Sequence, residues 1–345
     1  MVRVAGAPLG VEVHQLLCGR DVAIGSDPIS HAASQMANYM YVVIDSSGVG
    51  GGRPAIVIDA CWDVDGILRY CNENLGVERV TNALYTHRHF DHTGGTLPRA
   101  MTGGHTVTVP GLHSFVERGI DVAVGQGDVE AVAEQSSVDA SKIRALVEGD
   151  MIAVGGGAGA ALTVLCTPGH TTGSICLQLQ DHDASSLDMS PSMLFTGDTL
   201  FIGSCGRYDL PESDLSALLA SLERLSRLPR QTVVLPGHNY AEAAHTTIGA
   251  ERTVNNMMLQ AMGLVRNGKT VPSSVAASLP LPDYLGVATR LATDVEAVAS
   301  AGNNGRGATE AFDSDLECCH SPASGRQALP ATGAKGHGRS LCSKL

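Results

Sequence analysis

The sequence has 345 residues, of which 43% are hydrophobic, so the chain can bury the core of one large domain or two ordinary ones. Lys and Arg total 23 against 35 Asp and Glu, and the resulting net charge of -12 disfavours nucleic acid and anionic membrane surfaces as partners. Nine cysteines lack the spacing of a disulfide scaffold or a paired C-x-x-C zinc site, which favours a reducing compartment.

Neither a signal peptide nor a membrane span is predicted. Residues Met1 to Gly10 lack a charged segment that leads into an apolar run, and no stretch approaches the ~20 apolar residues of a spanning helix. We therefore expect a soluble protein that is not secreted by that route.

Short β-branched or aromatic runs bounded by Gly, Pro and Asp predict strands in the first third of the chain. They begin at Asn38 (NYMYVVID), Pro54 (PAIVIDACWD) and Arg79 (RVTNALYTH). Apolar residues at helical intervals predict a helix from Val64 to Leu75, between the second and third strands. This order of strand, helix and strand indicates an α/β sheet.

Further strands and helices are predicted along the rest of the chain. The strands are HTVTVP from His105, ALTVLCT from Ala161, SICLQLQ from Ser174, SMLFTGD from Ser192 and QTVVLPGH from Gln231. Helices are predicted from Val129 to Ala145 and from Ser213 to Leu228, and the GGGAGA run at Gly155 to Ala160 predicts a hairpin loop. Many strands with few helices favour two sheets covered by helices over one doubly wound sheet.

The segment Thr86 to His92 (THRHFDH) directly follows a predicted strand. Because side chains two apart on extended backbone face the same side, His87 and His89 can converge on one ion. Asp91 and His92 lie past the strand end and can point to a neighbouring ion. Imidazole and carboxylate together suit zinc, iron or manganese. Three His and one Asp within six residues favour a metal site over structural histidines.

Three more segments each follow an apolar run. They are TPGH ending at His170, TGDT containing Asp198, and PGH ending at His238. Such positions are where α/β sheets collect functional loops. Each alone is ordinary turn or capping chemistry, but their occurrence together and in this order strengthens the metal-site interpretation.

From Val11 to Val254 the sequence resembles the metallo-β-lactamase superfamily, and within it the glyoxalase II branch. The resemblance implies an α/β fold, the αβ/βα four-layer sandwich, with two divalent metals at one sheet edge. It implies zinc as the metal, with iron and manganese as alternatives. Matching positions assign His87, His89 and His170 to the first metal, Asp91, His92 and His238 to the second, and Asp198 to both.

The resemblance also implies roles near the metals. Asp91 and Asp198 are expected to serve catalysis as well as metal binding, and Asp59 to support the site without binding metal. In the glyoxalase II-like stretch GDTLFIGSCGRY, Arg207 and Tyr208 are expected to face the glutathione part of a substrate, and Tyr240 to hydrogen-bond its backbone. True β-lactamases of the family have a cysteine ligand where this chain has Asp198, which disfavours antibiotic hydrolysis.

Two nearby cysteines, Cys166 and Cys205, are also candidates for metal binding. We assign both a structural role, because a free cysteine usually behaves as a small buried hydrophobe.

The expected reaction is hydrolysis of a glutathione-type thioester, a small-molecule substrate. Two metals lower the pKa of a shared water toward ~7, so that hydroxide attacks the thioester carbonyl. The first alternative is a glutathione persulfide dioxygenase, a related family that keeps the seven ligand types but uses one iron. Its similarity lies in TTIGAERTVNN at Thr246 to Asn256 and in LPLPDYLGVATRL further on.

A second alternative is a metal-binding interaction module without catalysis. Retention of all seven ligands argues against it. The helical domain that usually follows in glyoxalase II, with its basic glutathione-binding residues, is not recognisable, which weakens the glutathione assignment.

The last three residues, Ser343-Lys344-Leu345, match a peroxisomal import address. They predict an import receptor as partner and a peroxisome or glycosome as location, with the cytoplasm as the alternative. We divide the chain into a catalytic domain at 11–250, a short C-terminal helical extension at 251–300 and a flexible tail at 301–345. The tail is rich in small residues and lacks the apolar surface that folding needs.

Overall fold

The computed structural model describes residues 2–49, 52–97, 99, 104–156, 159–181 and 192–267. The predicted tail, the import address and most of the predicted helical extension lie outside the described residues and stay predictions. The beginning of that extension is described and is helical.

The first sheet has seven strands in the order β1-β2-β3-β4-β5-β8-β9. They are β1 (Val2–Arg3), β2 (Val11–Leu17), β3 (Tyr39–Asp45), β4 (Pro54–Ile58), β5 (Arg79–Tyr85), β8 (Asp121–Gly125) and β9 (Ile143–Leu146). The pairs from β1 to β4 are antiparallel, and those from β4 to β9 are parallel. The parallel half therefore collects several carboxyl ends at one edge.

The second sheet has six strands in the order β10-β11-β12-β13-β14-β15. They are β10 (Met151–Ala153), β11 (Ala160–Cys166), β12 (Ile175–Asp181), β13 (Met193–Gly197), β14 (Val233–Pro236) and β15 (Thr246–Thr247). All neighbours are antiparallel except β13 and β14. The β10–β11 pairing confirms the predicted hairpin at the glycine-rich run. A separate two-stranded ribbon pairs β6 (Gly95–Thr96) with β7 (Thr108–Val109).

Helices cover the outer faces of the two sheets. They are α1 (Pro28–Met36), α2 (Val64–Leu75), α3 (Phe90–Thr93), α4 (Leu112–Glu117), α5 (Val129–Ser136), α6 (Leu215–Ser226), α7 (Ile248–Val254) and α8 (Asn256–Asn267). Asp214 caps α6 by accepting a hydrogen bond from the backbone of Ala217 (3.0 Å).

Three apolar cores hold the layers together. Alternate residues of β3 divide between two of them: Val42 packs with the helices α1 and α2, and Val43 packs between the two sheets. The third core joins the second sheet to α6 and α8, for example through Leu222 and Met258. The layer order is helix, sheet, sheet, helix, which confirms the expected four-layer sandwich.

The helix predicted from Val129 to Ala145 is wrong in its second half. Helix α5 ends at Ser136, because Ser137 adopts a left-handed backbone conformation with a φ of 54°. Asp139 then begins a short 3₁₀ turn, and Ile143 starts β9, where it pairs with Val122. Pairing with β8 overrides the helical spacing of the apolar residues there. The strand predicted from His105 is shorter in the structure, where it spans Thr108–Val109.

The longest described helices have 12 residues, and no helix in the described part of the chain can cross a membrane. The six cysteines in the described ranges are all free thiols.

Candidate metal centre

The candidate ligands lie where strands of both sheets end. His87 follows β5, Asp198 follows β13 and His238 follows β14, while His170 lies in the turn between β11 and β12. These loops meet at one edge of the sandwich. The structure thus brings together all seven residues that the sequence predicts as ligands, and their metal-binding role is a proposal considered below.

The side chains form two adjacent clusters. The first cluster is His87, His89 and His170, and the second cluster is Asp91, His92 and His238. Asp198 forms a further group with His87 and His92, so it lies between the two clusters. Within each group the ligand atoms are within 4.8 Å of one another. All seven residues are buried except His89, whose side chain is 17% exposed.

The ring nitrogens of the first cluster point to one place. Nδ1 of His89 lies 3.1 Å from Nε2 of His87 and 2.9 Å from Nε2 of His170. Asp198 approaches from the inner side, with its Oδ2 3.5 Å from Nε2 of His170.

The second cluster is equally tight. Nε2 of His92 and Nε2 of His238 are 3.2 Å apart, and Oδ2 of Asp91 lies 3.5 Å from the first and 3.3 Å from the second. The other oxygen of Asp198, Oδ1, lies 3.4 Å from His92 and 3.5 Å from His238. One carboxylate therefore presents a different oxygen to each cluster.

The outward nitrogen of every imidazole has a hydrogen-bond acceptor. Two rings donate from Nδ1 to main-chain oxygens: His170 to Arg207 (2.7 Å) and His238 to Met36 (2.9 Å). Two donate from Nδ1 to side chains: His92 to Asp59 and His87 to Thr86 (both 3.1 Å). His89 donates from Nε2 to the carboxylate of Glu212 (2.9 Å). These bonds fix the tautomer of each ring. The inward nitrogens are thereby left with lone pairs for a metal.

Asp59 supports both clusters through hydrogen bonds, as the resemblance implies: it contacts His92 directly and His87 through Thr86. Its carboxylate accepts hydrogen bonds from the backbone and the hydroxyl of Thr86 (both 2.8 Å) and from His92. Asp59 has a φ of 52°, a conformation that costs energy for a residue other than glycine. Strain of this kind is concentrated at functional sites.

Two glycines allow the loops to approach this closely. Gly197 has a φ of +46°, and an added Cβ would strike the hydroxyl of Thr86. A Cβ on Gly237 would strike Oδ1 of Asp198 and the ring of His92. The Gly residues next to Asp198 and His238 are therefore required by packing at the site.

The residues present fit divalent metals. Five imidazoles and two carboxylates are the donor types of zinc, iron and manganese sites. Oδ1 of Asp91 is fully buried and has no hydrogen-bond partner among the described residues. Such an atom is costly unless a cation occupies the site.

The two clusters differ in charge. Burial lowers the pKa of His170 to about 4, and burial together with the neighbouring charge of His92 holds the pKa of His87 well below its usual range. Burial opposes protonation of His238 too, but Asp198 and Asp91 outweigh it and raise the pKa to about 9. Asp91, Asp198 and Asp59 likewise raise the pKa of His92 despite burial. Protons thus hold the second cluster together when metal is absent.

The three predicted substrate-binding residues have different surroundings. Tyr240 is 44% exposed, and its ring stacks on that of His238 at a centroid distance of 4.7 Å. The guanidinium of Arg207 forms an ion pair with Asp209 (2.9 Å), and Tyr208 packs against the core under α6. The side chain of Tyr240 therefore lies directly against a candidate ligand.

Neither Cys166 nor Cys205 belongs to a group that could hold a metal in the part of the chain described here. Cys205 is buried, and burial raises the pKa of its thiol to about 12. Cys166 is the half-buried last residue of β11.

Sequence reasoning missed three buried or half-buried polar residues beside the ligands. Asn38 donates from Nδ2 to Asp91 (3.0 Å) and accepts at Oδ1 from the indole of Trp62 (3.1 Å). Asp128 accepts from the backbone of Arg88 (3.0 Å) and from the hydroxyl of Thr171 (2.6 Å), so it ties two ligand loops together. The third is Glu212, the acceptor of His89. Asn38 opens a predicted strand and was assigned no site role.

Comparison with known families gives one match that spans the site. A family profile described as the Metallo-beta-lactamase superfamily matches residues 37–238, more than half of the chain. A crystal structure of a metallo-beta-lactamase from Staphylococcus aureus is similar to this chain, with a TM-score of 0.54 and 21% identity. The alignment covers 80% of this chain and 70% of the Staphylococcus chain. At this identity the likeness shows the fold alone.

Curated relatives carry two different activities in their names. A hydroxyacylglutathione hydrolase of Rhodospirillum rubrum is 35% identical over 165 residues, which are 47% of this chain and 50% of the relative. A mitochondrial persulfide dioxygenase of Homo sapiens is 30% identical over 205 residues, 59% of this chain and 66% of the relative. This chain therefore spans about half of the first relative and two thirds of the second.

Proposed function

The chain belongs to the metallo-β-lactamase superfamily, and on that premise we propose that it is a two-metal hydrolase that cleaves a thioester of a glutathione-type thiol. The observation that carries the proposal is the position of Asp198. Its two oxygens face different clusters, at 3.4 to 3.5 Å from His92, His238 and His170. A carboxylate placed in this way is suited to hold two cations at a fixed separation.

We propose that the first cluster holds one metal, the second cluster holds another, and Asp198 contacts both. Zinc is the metal we favour, and iron and manganese suit the same donors. Bound metals supply an activated water and polarise the carbonyl oxygen of the substrate.

The residues of the chain prepare the site for this chemistry. The outward hydrogen bonds hold each imidazole in one tautomer, so no ring has to reorient during turnover. Asp91 and Asp198 remain ionised because burial is outweighed by the charges of His92 and His238. Tyr240 and Phe201, whose rings are 5.4 Å apart, form an aromatic wall beside His238. We propose that the thiol part of the substrate lies along this wall.

The choice of a glutathione-type thioester rests on two supports. One is the named activity of the Rhodospirillum relative. The other is the segment GDTLFIGSCGRY, which contains Asp198 and places the main-chain oxygen of Arg207 on His170. The segment therefore lies beside the candidate ligands.

The proposal is tested by assaying the purified full chain, loaded with zinc, on S-lactoylglutathione in the absence of oxygen. We expect thioester cleavage that stops when a chelator removes the metal. The inactive control is the His87→Ala variant, which lacks one ligand of the first cluster. No cleavage by the metal-loaded chain would refute the proposal.

A persulfide dioxygenase is the second candidate, and two contacts favour it. The TTIGAERTVNN segment, in which the sequence resembles that family, is joined to the loop that follows Asp198. Glu251 accepts from the backbone of Gly203 (2.8 Å), and Asn255 donates to the main-chain oxygen of Ser204 (2.9 Å). The segment is therefore nearer to the chemistry than its position in the sequence suggests. Oxygen consumption with glutathione persulfide and one ferrous ion per chain would favour this candidate.

A further inference from the structure

His89 differs from the other imidazoles of the site in its exposure. It is the only one of the five that is not buried, with 17% of its side chain exposed. Its ring is also held by a side chain from a distant loop, because Nε2 donates to Oε1 of Glu212 over 2.9 Å. A partly exposed ligand gains more from such a partner than a ligand already fixed by packing.

Glu212 belongs to a short segment, residues 212–214, that hydrogen-bonds to both loops that carry the first cluster, the loop of His89 and the loop of His170. The hydroxyl of Ser213 donates to the main-chain oxygen of His170 (2.8 Å), and the backbone of Asp214 donates to that of Gly169 (2.8 Å). Asp214 also caps α6. The segment is thus anchored on a helix and contacts the loops of His89 and His170 at once.

The charges around Glu212 suit an ionised carboxylate. The guanidinium of Arg88 lies 3.5 Å from the same oxygen that accepts from His89, and the Glu212 side chain is only 18% exposed. Arg88 lies next to His89 in the sequence, so the Glu212 carboxylate contacts two neighbouring side chains, of which one is the candidate ligand. Solvent screening is reduced at this exposure.

We propose that Glu212 is a positioning residue for the first metal. Its carboxylate fixes the ring of His89 with Nδ1 pointing inward and makes that nitrogen a stronger electron donor, which raises the metal affinity of the first cluster. The proposal rests on the metal-binding part of the proposed function and is independent of the choice of substrate.

The test compares Glu212→Gln and Glu212→Ala with the matched control Glu223→Gln. Glu223 lies on α6, is 14% exposed in its side chain and pairs with Arg227 (2.6 Å), so it offers the same chemical change away from the site. Zinc affinities of the full-length variants are measured by competition with a chelator. The absorption spectrum of the cobalt-loaded protein reports the geometry around the ion.

We expect the tighter of the two zinc affinities to fall about 10-fold in Glu212→Gln and up to about 100-fold in Glu212→Ala. The weaker affinity should not change. The cobalt spectrum should shift in both variants, and Glu223→Gln should match the unmodified chain in every measurement.

Unchanged affinity and an unchanged spectrum in Glu212→Ala would overturn the proposal. A metal-free Glu212→Gln protein that melts well below Glu223→Gln would also overturn it, because Glu212 would then be a structural residue. Because the readout is metal binding, failure of the proposed thioester activity would not affect this result.

Discussion

The two clusters of the metal centre are built from similar residues but are in different states when metal is absent. The first cluster contains only imidazoles, and burial keeps His170 neutral with a pKa of about 4. The second cluster contains Asp91, and His238 carries a proton because its pKa is raised to about 9. His170 and His87 therefore have no proton to lose when a metal binds, whereas His238 and His92 of the second cluster must each lose one.

This difference bears directly on function. A chain that fills only the first cluster would have one metal, as the persulfide dioxygenase alternative requires. A chain that fills both would have the two-metal centre of the proposed hydrolase. Occupancy of the second cluster is thus what separates the two candidate activities, and Asp198 is the residue that both clusters share.

The largest effect is expected for Asp198→Ala. Both clusters lose a carboxylate oxygen, so we expect loss of both metals and a fall in turnover of more than about 100-fold. This exceeds the fall expected when only a hydrogen-bond partner of a ligand is removed. Metal content and turnover are measured together. The control Asp65→Ala removes an exposed carboxylate on α2 that pairs with Arg118. Full metal content in Asp198→Ala would contradict the proposed site.

A narrower effect is expected for Asp91→Asn, which alters the second cluster alone. The neutral amide weakens cation binding there, and we expect about one metal per chain to remain, with most thioester turnover lost. Elemental analysis after dialysis checks the stoichiometry. Retention of two metals would contradict the role assigned to Asp91, and loss of both would show that the clusters are not independent.

The pH dependence of zinc binding should separate the clusters further. Zinc must displace the protons of His238 and His92, so affinity for the second cluster should rise at least about tenfold per pH unit from pH 7 toward 9. The first cluster should respond less, because His170 has already lost its proton at pH 7. Calorimetry in buffers of different pH measures both affinities. Parallel pH dependence at the two clusters would contradict the assigned charge states.

The smallest effect is expected for Asn38→Ala. Asn38 donates to Asp91 and accepts from Trp62, so its removal leaves the buried indole unpaired. We expect a loss of about 1–3 kcal/mol in the free energy of unfolding. We also expect roughly tenfold weaker zinc binding at the second cluster. The exposed Asn72→Ala is the control, and chemical denaturation with chelator competition provides both readouts. An equal loss of affinity at both clusters would show that Asn38 is not specific to the second.

Much of the fold could be predicted because most strands are short apolar runs with clear boundaries. Strand β2 was missed because His14 and Gln15 interrupt its apolar pattern, although both are buried. Gln15 is accommodated there by a hydrogen bond from its side-chain amide to the main-chain oxygen of Ala244 (2.8 Å). Such compensation by a distant residue leaves no local signal.

At the candidate site, too, residues with a local sequence signal were predicted, and residues whose partners are distant in the sequence were missed. The candidate ligands stand out because His and Asp follow apolar strands in recognisable segments. Asn38, Asp128 and Glu212 are ordinary polar residues whose partners are far along the chain: Asn38 is 53 residues from Asp91, and Glu212 is 123 residues from His89. Their role becomes visible only when the loops are brought together.

The measurement that tests the central claim most directly is a metal titration of the metal-free full chain, with thioester cleavage followed under anaerobic conditions. The account predicts little cleavage of S-lactoylglutathione at one zinc equivalent and full activity at two, since both clusters must be filled. Saturation at one ferrous equivalent, with oxygen consumed from glutathione persulfide and no thioester cleavage at any metal content, would contradict it.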